Sequence, residues 1–299
     1  MKVGVLIFSY AGMEWFAQSL DQDGHISINL GDYMQTLAVR NIFDNLGVDR
    51  SDVIAVDRDT LPSYDGEPVA LIMNGCFFHH CFPIPDSIIP IFVGFQASEA
   101  VIVGALDYFR KHQPIGCRDP TTERIFRKHG IAAFTTGCLT LTLPTRDDSI
   151  RGSKVIVAYG TGAGDFPAEV MRLMPEDLLE RVELVYQRKI VHHFPMRLND
   201  MAEAEAYALY LLNYYRENAS LIVTPLHHAA SPGMASGIPV NIVRKKDNSR
   251  FGHLRTLVPV LVAPNFADLV WADTPVDLSR VRQNLSNQVG AALSKARAF

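Results

Sequence analysis

Short, fully apolar runs of strand length alternate with stretches whose apolar residues recur at helical spacing, and the series runs twice along the chain. In the first series residues 3–9 read as a buried strand. Residues 29–46 read as a helix carrying Tyr33, Met34, Leu37, Ala38, Ile42, Phe43 and Leu46 on one face, with Gly47 as its stop. Residues 53–56, 69–73 and 91–95 are strand candidates, 106–112 and 121–129 helical, and 114–117 extended between them. The second series reads as strand 154–159, helix 169–181, strand 182–186, helix 201–217, strand 221–223, helix 228–236 and strand 240–243. Such alternation predicts α/β domains in which a parallel sheet carries helices on both faces. A length of 299 residues accommodates two of them.

The polar, turn-forming stretch 144–152 predicts the linker. The expected division is a first domain over 1–147, a second over 153–262, and an extension over 263–299 ending in a closing helix. That helix, 275–298, spaces Leu278, Val281, Leu285, Val289, Ala292 and Ala296 by threes and fours, and packing on one domain is expected. Its Arg280, Arg282, Lys295 and Arg297 also suit a membrane surface, but alanines on the stripe make weak anchors. No run approaches ~18 apolar residues, so no transmembrane helix is expected. A net charge of −4 gives no bulk electrostatic case for nucleic acid. Four cysteines make no disulfide framework, and the first residues lack a signal-peptide pattern. A cytoplasmic setting with reduced thiols is the expectation.

Ligands of doubly wound sheets sit outside the carboxyl ends of the strands, and two such halves imply a cleft between them. Four segments are placed to line it. Gly160-Thr-Gly162-Ala-Gly164 follows a strand, but Asp165 stands where a dinucleotide fingerprint needs its third glycine, so it reads as a permissive turn. Cys76, His79, His80 and Cys81 could chelate, yet their loop is compressed and no second pair follows, so a cleft-lining loop is preferred to a metal site. Arg118-Asp119-Pro120 joins a strand to a helix, with Asp119 as cap and Arg118 either its ion partner or a cation in the cleft. Residues 224–240 run from a strand end through His227 and His228 into a short small-residue helix, whose N-terminus suits an anion.

The segments Asn29-Leu-Gly-Asp32-Tyr-Met-Gln-Thr-Leu-Ala38, Ile115-Gly-Cys-Arg118-Asp119-Pro-Thr-Thr-Glu123, Gly137-Cys-Leu-Thr-Leu-Thr142 and 224–240, in this order, resemble the polysaccharide pyruvyl transferase family. The resemblance implies two Rossmann-like doubly wound domains facing a cleft, as in GT-B glycosyltransferases. It implies transfer of pyruvate from phosphoenolpyruvate to a saccharide, free or lipid-linked, in the cytoplasm or at the inner face of its membrane. Beyond that donor no cofactor is implied, and no metal or nucleic acid. His228 takes the family's histidine position, whereas Leu226 stands where the family carries arginine. Arg118, Arg244, Lys245 and Lys246 are the cations available to compensate. The expected roles are then His228 and Asp32 in catalysis; Arg118, His227, His228, Arg244, Gly160 and Gly162 at the donor; and Asp32, Asn74, Phe77 and His79 at the acceptor. Two other readings stay open, a glycosyltransferase using a nucleotide sugar and a saccharide-binding protein without activity.

Overall fold

The computed structural model describes residues 1–147 and 149–297; Asp148 of the expected linker and Ala298 of the expected closing helix lie outside them. The elements run β1 (Lys2–Ile7), α1 (Glu14–Asp23), β2 (Ile26–Asn29), α2 (Leu30–Asn45), β3 (Val53–Asp57), β4 (Val69–Ile72), β5 (Gly75–Phe77), β6 (Ile88–Ile91), β7 (Phe95–Ala97), α3 (Glu99–Gly104), α4 (Leu106–Lys111), β8 (Ile115–Cys117), α5 (Pro120–Lys128) and β9 (Ala133–Thr135). They continue as β10 (Lys154–Tyr159), α6 (Glu176–Leu179), β11 (Val182–Tyr186), β12 (Arg188–Val191), α7 (Leu198–Asn218), β13 (Ala219–Thr224), α8 (His227–Ala235), β14 (Val240–Arg244), β15 (Val260–Val262) and α9 (Ser279–Arg297).

The expected α/β class with parallel sheets is what the chain forms. The first half holds a parallel sheet of order β3-β1-β4-β6 and a second of order β5-β7-β8-β9. The two are one surface with a bend. β4 leads into β5 and β6 into β7, and Met73 N donates to Ile91 O (2.8 Å) and Gly75 N to Gly94 O (3.0 Å) across the break. Gly75 and Gly94 take positive φ there, 105° and 78°, which a side chain would oppose. The strand expected over 91–95 is therefore divided, its middle residues turning the bend. Pro90 lies in β6, whose outer edge in its sheet has no partner, so the missing N–H is not needed there.

The second half is a parallel sheet of order β11-β10-β13-β14-β15. The helix expected over 169–181 is not continuous: Pro175 separates a 3-10 turn, Ala168–Leu173, from α6. An antiparallel pair joins the halves, β2 from the first and β12 from the second, with Asn29 opposite Arg188.

Helix α2 is the central post. Tyr33 Oη donates to Phe8 O and Thr36 Oγ1 to Leu6 O, both at 2.6 Å, docking it on β1. Its other sides pack on α7 and α8, and one apolar core runs through Leu143, Ile156, Ala158 and Ile222. The core is thus unbroken at 144–152. A smaller cluster around Val157, Val223 and Phe266 covers the far face of the sheet of the second half. Helix α9 buries Leu285, Val289 and Leu293 and packs back against β4 and β6 of the first half. No helix among the described residues is long and apolar enough to cross a membrane.

Candidate active site at an electropositive cleft

In the sheet of the second half β10 is flanked by β11 and β13, so the chain changes direction between β10 and β13 and leaves a crevice at their carboxyl ends. The segments following these strands, Gly160–Gly164 and Pro225–His228, line one side of a cleft of about 190 Å³. Asn29 and Asp32 from the start of α2, Cys76 from β5 and Arg118 after β8 line the other.

The entry to α8 is built by local chemistry. Thr224 Oγ1 donates to Ala158 O (2.7 Å) and accepts from Leu226 N (3.0 Å), turning the chain out of β13. Pro232 then denies His228 O its helical N–H, and His228 sits off the helical conformation at φ −92°, ψ 20°. The freed carbonyl accepts instead from Gln187 Nε2 (3.0 Å), whose Oε1 accepts from Tyr215 Oη (2.9 Å), all within the interior. His228 is held by this chain and by α2. The Cα of Gly31 rests on its ring so closely that a Cβ there would lie 2.3 Å from Nδ1. The two helix N-termini therefore meet at His228, one residue from Asp32. The Asp32 carboxylate accepts from Tyr10 Oη (3.0 Å) and stays half-buried at the cleft.

Positive charge dominates. Arg118, Arg188, Arg244 and Arg250 line the cleft against the single carboxylate of Asp32 among the described residues. Arg188 is spent on Ser27, to which its Nε donates at 2.8 Å. Arg244 lies over the Phe251 ring at 4.3 Å, with Nε donating to Lys246 O (3.1 Å). Arg118 is different. It is 2% exposed, the only hydrogen bond of its side chain among the described residues is to Cys76 Sγ (3.2 Å), and its Nε has no partner. Asp119 is not its counter-ion: it caps α5, accepting from Thr121 N and Thr122 N, each at 3.0 Å. A buried guanidinium without a carboxylate calls for an anion from outside.

The imidazoles respond to this field. Burial first, then His228 and Arg118, hold His227 well below its ordinary value. Burial, then Arg118 and Arg250, do the same to His228. Both are neutral in the empty cleft at pH 7. The consequence for stability follows by linkage. A histidine depressed in the fold adds stability above its unfolded value of ~6.5, and this is lost as pH falls toward the folded value. In chelating buffer the protein should lose up to about 1.4 kcal/mol per pH unit for each histidine below pH ~6.5. Denaturant titrations at pH 7.5 and 5.5 check this, and equal stabilities would show that the rings protonate freely.

The structure brings Asp32, Arg118, Gly160, His227, His228 and Arg244 together and separates the others expected with them. Gly162 turns away from the cleft, which Thr161 and Gly164 line instead. Strand β5 alternates, so Cys76 faces the cleft while Phe77 points into the core and stacks on Phe95 at 4.8 Å. Asn74 is 2% exposed, and its side chain is turned to Gln35 O. His79 lies in a separate groove with Phe82, Val101 and Gly104. Leu226, in place of an arginine, covers the glycine turn: a Cβ on Gly164 would meet its Cδ2 at 2.7 Å.

Arg250, Asn248 and Phe251 were not legible as site residues. Asn248 Oδ1 accepts from Arg250 N (3.0 Å), and buried Phe251 packs edge-on to His227 at 5.5 Å, which sets Arg250 at the mouth. Neither Lys245 nor Lys246 lines the cleft. The only signal was an asparagine cap followed by a lone phenylalanine in a polar stretch. All four cysteines are free thiols.

Compared with protein-family models and with curated proteins, the chain matches none.

Proposed function

We propose that the cleft binds phosphoenolpyruvate and transfers its pyruvyl group to two hydroxyls of a saccharide, forming a ketal. The observation that carries this reading is the buried, carboxylate-free Arg118 guanidinium beside two neutral histidines and the N-terminus of α8, with Arg250 at the mouth. Such a site suits a small ligand bearing more than one negative charge. The motif resemblance supplies the identity of that ligand, and it also favours reading the two halves as a GT-B-like pair working in the cytoplasm or on lipid-linked acceptors at its membrane.

In this scheme Arg118 and Arg250 hold the phosphate and carboxylate. The bound dianion raises the proton affinity of His228, which burial and the arginines hold down in the empty site. The imidazolium gives its proton to the methylene carbon of the donor. An acceptor hydroxyl adds to the adjacent carbon and loses its proton to Asp32. Phosphate leaves with its bonding electrons and takes the proton held by Asp32, and the second hydroxyl closes the ketal as its proton passes to the now neutral His228.

A nucleotide-sugar transferase is the competing reading, since the arginines and the N-terminus of α8 would also suit a diphosphate. Thermal shift decides. At a hundred times its Kd, phosphoenolpyruvate should stabilise the protein by about 2.7 kcal/mol, and Arg118→Met should abolish the shift. A shift with nucleotide sugars alone would replace this reading, and a shift with the saccharide alone would favour a binding protein.

A further inference from the structure

One cluster beside the cleft joins His228 to two side chains that this scheme does not use. Cys138, between β9 and the 3-10 turn Leu139–Thr142, reaches His228 from below, with Sγ 3.7 Å from Nε2. His227 packs edge-on to His228 at 4.9 Å between centroids, and its Nδ1 is buried without a partner. One ligand atom from each of the three residues lies within 4.8 Å of the others, and all three residues are buried.

We infer that Cys138, His227 and His228 form a site for Zn²⁺ whose fourth position opens into the cleft. A tetrahedral zinc with bonds of about 2.0 Å to nitrogen and 2.3 Å to sulfur sets those ligands about 3.5 Å apart. The observed Sγ to Nε2 separation is already near that value. Three protein ligands with an open position is the arrangement of zinc sites that bind an exogenous group. Thr140 Oγ1 lies 3.0 Å from Sγ and Gly31 fixes the other edge of His228, so both ligands have supports behind them. Cys138 gives up its thiol proton to solvent on binding. The second cluster of this kind, Asp59, His80 and Cys81, offers no such site, because Asp59 Oδ1 is already taken by Nε and Nη2 of Arg58 at 3.0 and 2.7 Å.

A metal on His228 Nε2 occupies the lone pair that would carry the proton. Zinc is therefore an inhibitor of the transfer, a consequence that rests on the proposed function, while the site itself does not.

The test is titration of the purified, metal-free protein with Co²⁺. One equivalent should raise tetrahedral d–d bands and a thiolate-to-cobalt charge-transfer band, both displaced by Zn²⁺. Cys138→Ser should remove the charge-transfer band, and Cys138→Ser and His227→Asn should each weaken binding roughly a hundredfold. Cys81→Ser and Cys76→Ser should leave both unchanged. Absence of the bands, or their loss in Cys81→Ser or Cys76→Ser but not in Cys138→Ser, overturns the site. If the cobalt spectrum forms as described while zinc leaves pyruvate transfer intact, the role of His228 in proton transfer fails and the metal site stands.

Discussion

His228→Ala should fold and should transfer pyruvate roughly 10²–10⁴-fold more slowly than the unsubstituted protein, the range for loss of an acid–base group. The ring is buried, but its main chain is anchored independently through Gln187 and Tyr215, so removing it opens a space continuous with the cleft rather than unpinning α8. The defect should fall on kcat more than on donor binding, because Arg118 and Arg250 remain. His227→Ala should lose less: its ring packs on Phe251 and has no place in the proton path. Rates of pyruvate transfer for both variants, with circular dichroism as the control, make the comparison. Full activity in a folded His228→Ala protein removes the residue from the mechanism.

Asp59→Ala should be the most damaging change outside the cleft, costing about 3–5 kcal/mol of stability. Arg58 and Asp59 are 1% and 5% exposed, and the guanidinium lies 4.7 Å from the Phe8 ring centroid and 5.2 Å from that of Phe78. The carboxylate also accepts from Tyr10 N (2.9 Å) and meets His80 Nε2 at 3.0 Å. Without it a positive charge is left among aromatic rings with only Cys76 O (3.1 Å) as a close acceptor. The double variant Arg58→Met with Asp59→Leu should recover much of the loss, since an apolar pair needs no counter-charge. Denaturant unfolding measures both, and a loss under about 1 kcal/mol for Asp59→Ala would mean that the pair is hydrated in solution.

The strands and helices of strong period were readable because each has a wide apolar face. The helix expected over 29–46 forms as α2, and the strand expected over 154–159 forms as β10. Strand β12, a four-residue piece paired with β2, was not readable, nor was the division at Phe92–Gly94, which depends on what lies across the bend. The cleft residues that follow strands were legible, since carboxyl ends of parallel strands converge. Apart from Asp32, the expected acceptor residues were drawn from one segment, 74–79, on the assumption that it is a loop. It contains β5, and a strand presents every second residue to the cleft, so Cys76 arrived there and Phe77 did not. Arg250 lay outside any periodic element, and only the packing of Phe251 brings it to the mouth.

The antiparallel pairing of β2 with β12 bears on how a ligand enters. Asn29 closes β2 and caps α2, accepting from Gly31 N at 3.1 Å, while Gln187, directly before β12, grips His228 O. Both walls are thus stitched together within a few residues of the chemistry, and α2 ties them again through the shared core. Wide jaw-like opening would have to tear this seam. The two walls should therefore keep their spacing when a ligand enters, and a covalent tie between β2 and β12 should leave ligand binding unaltered.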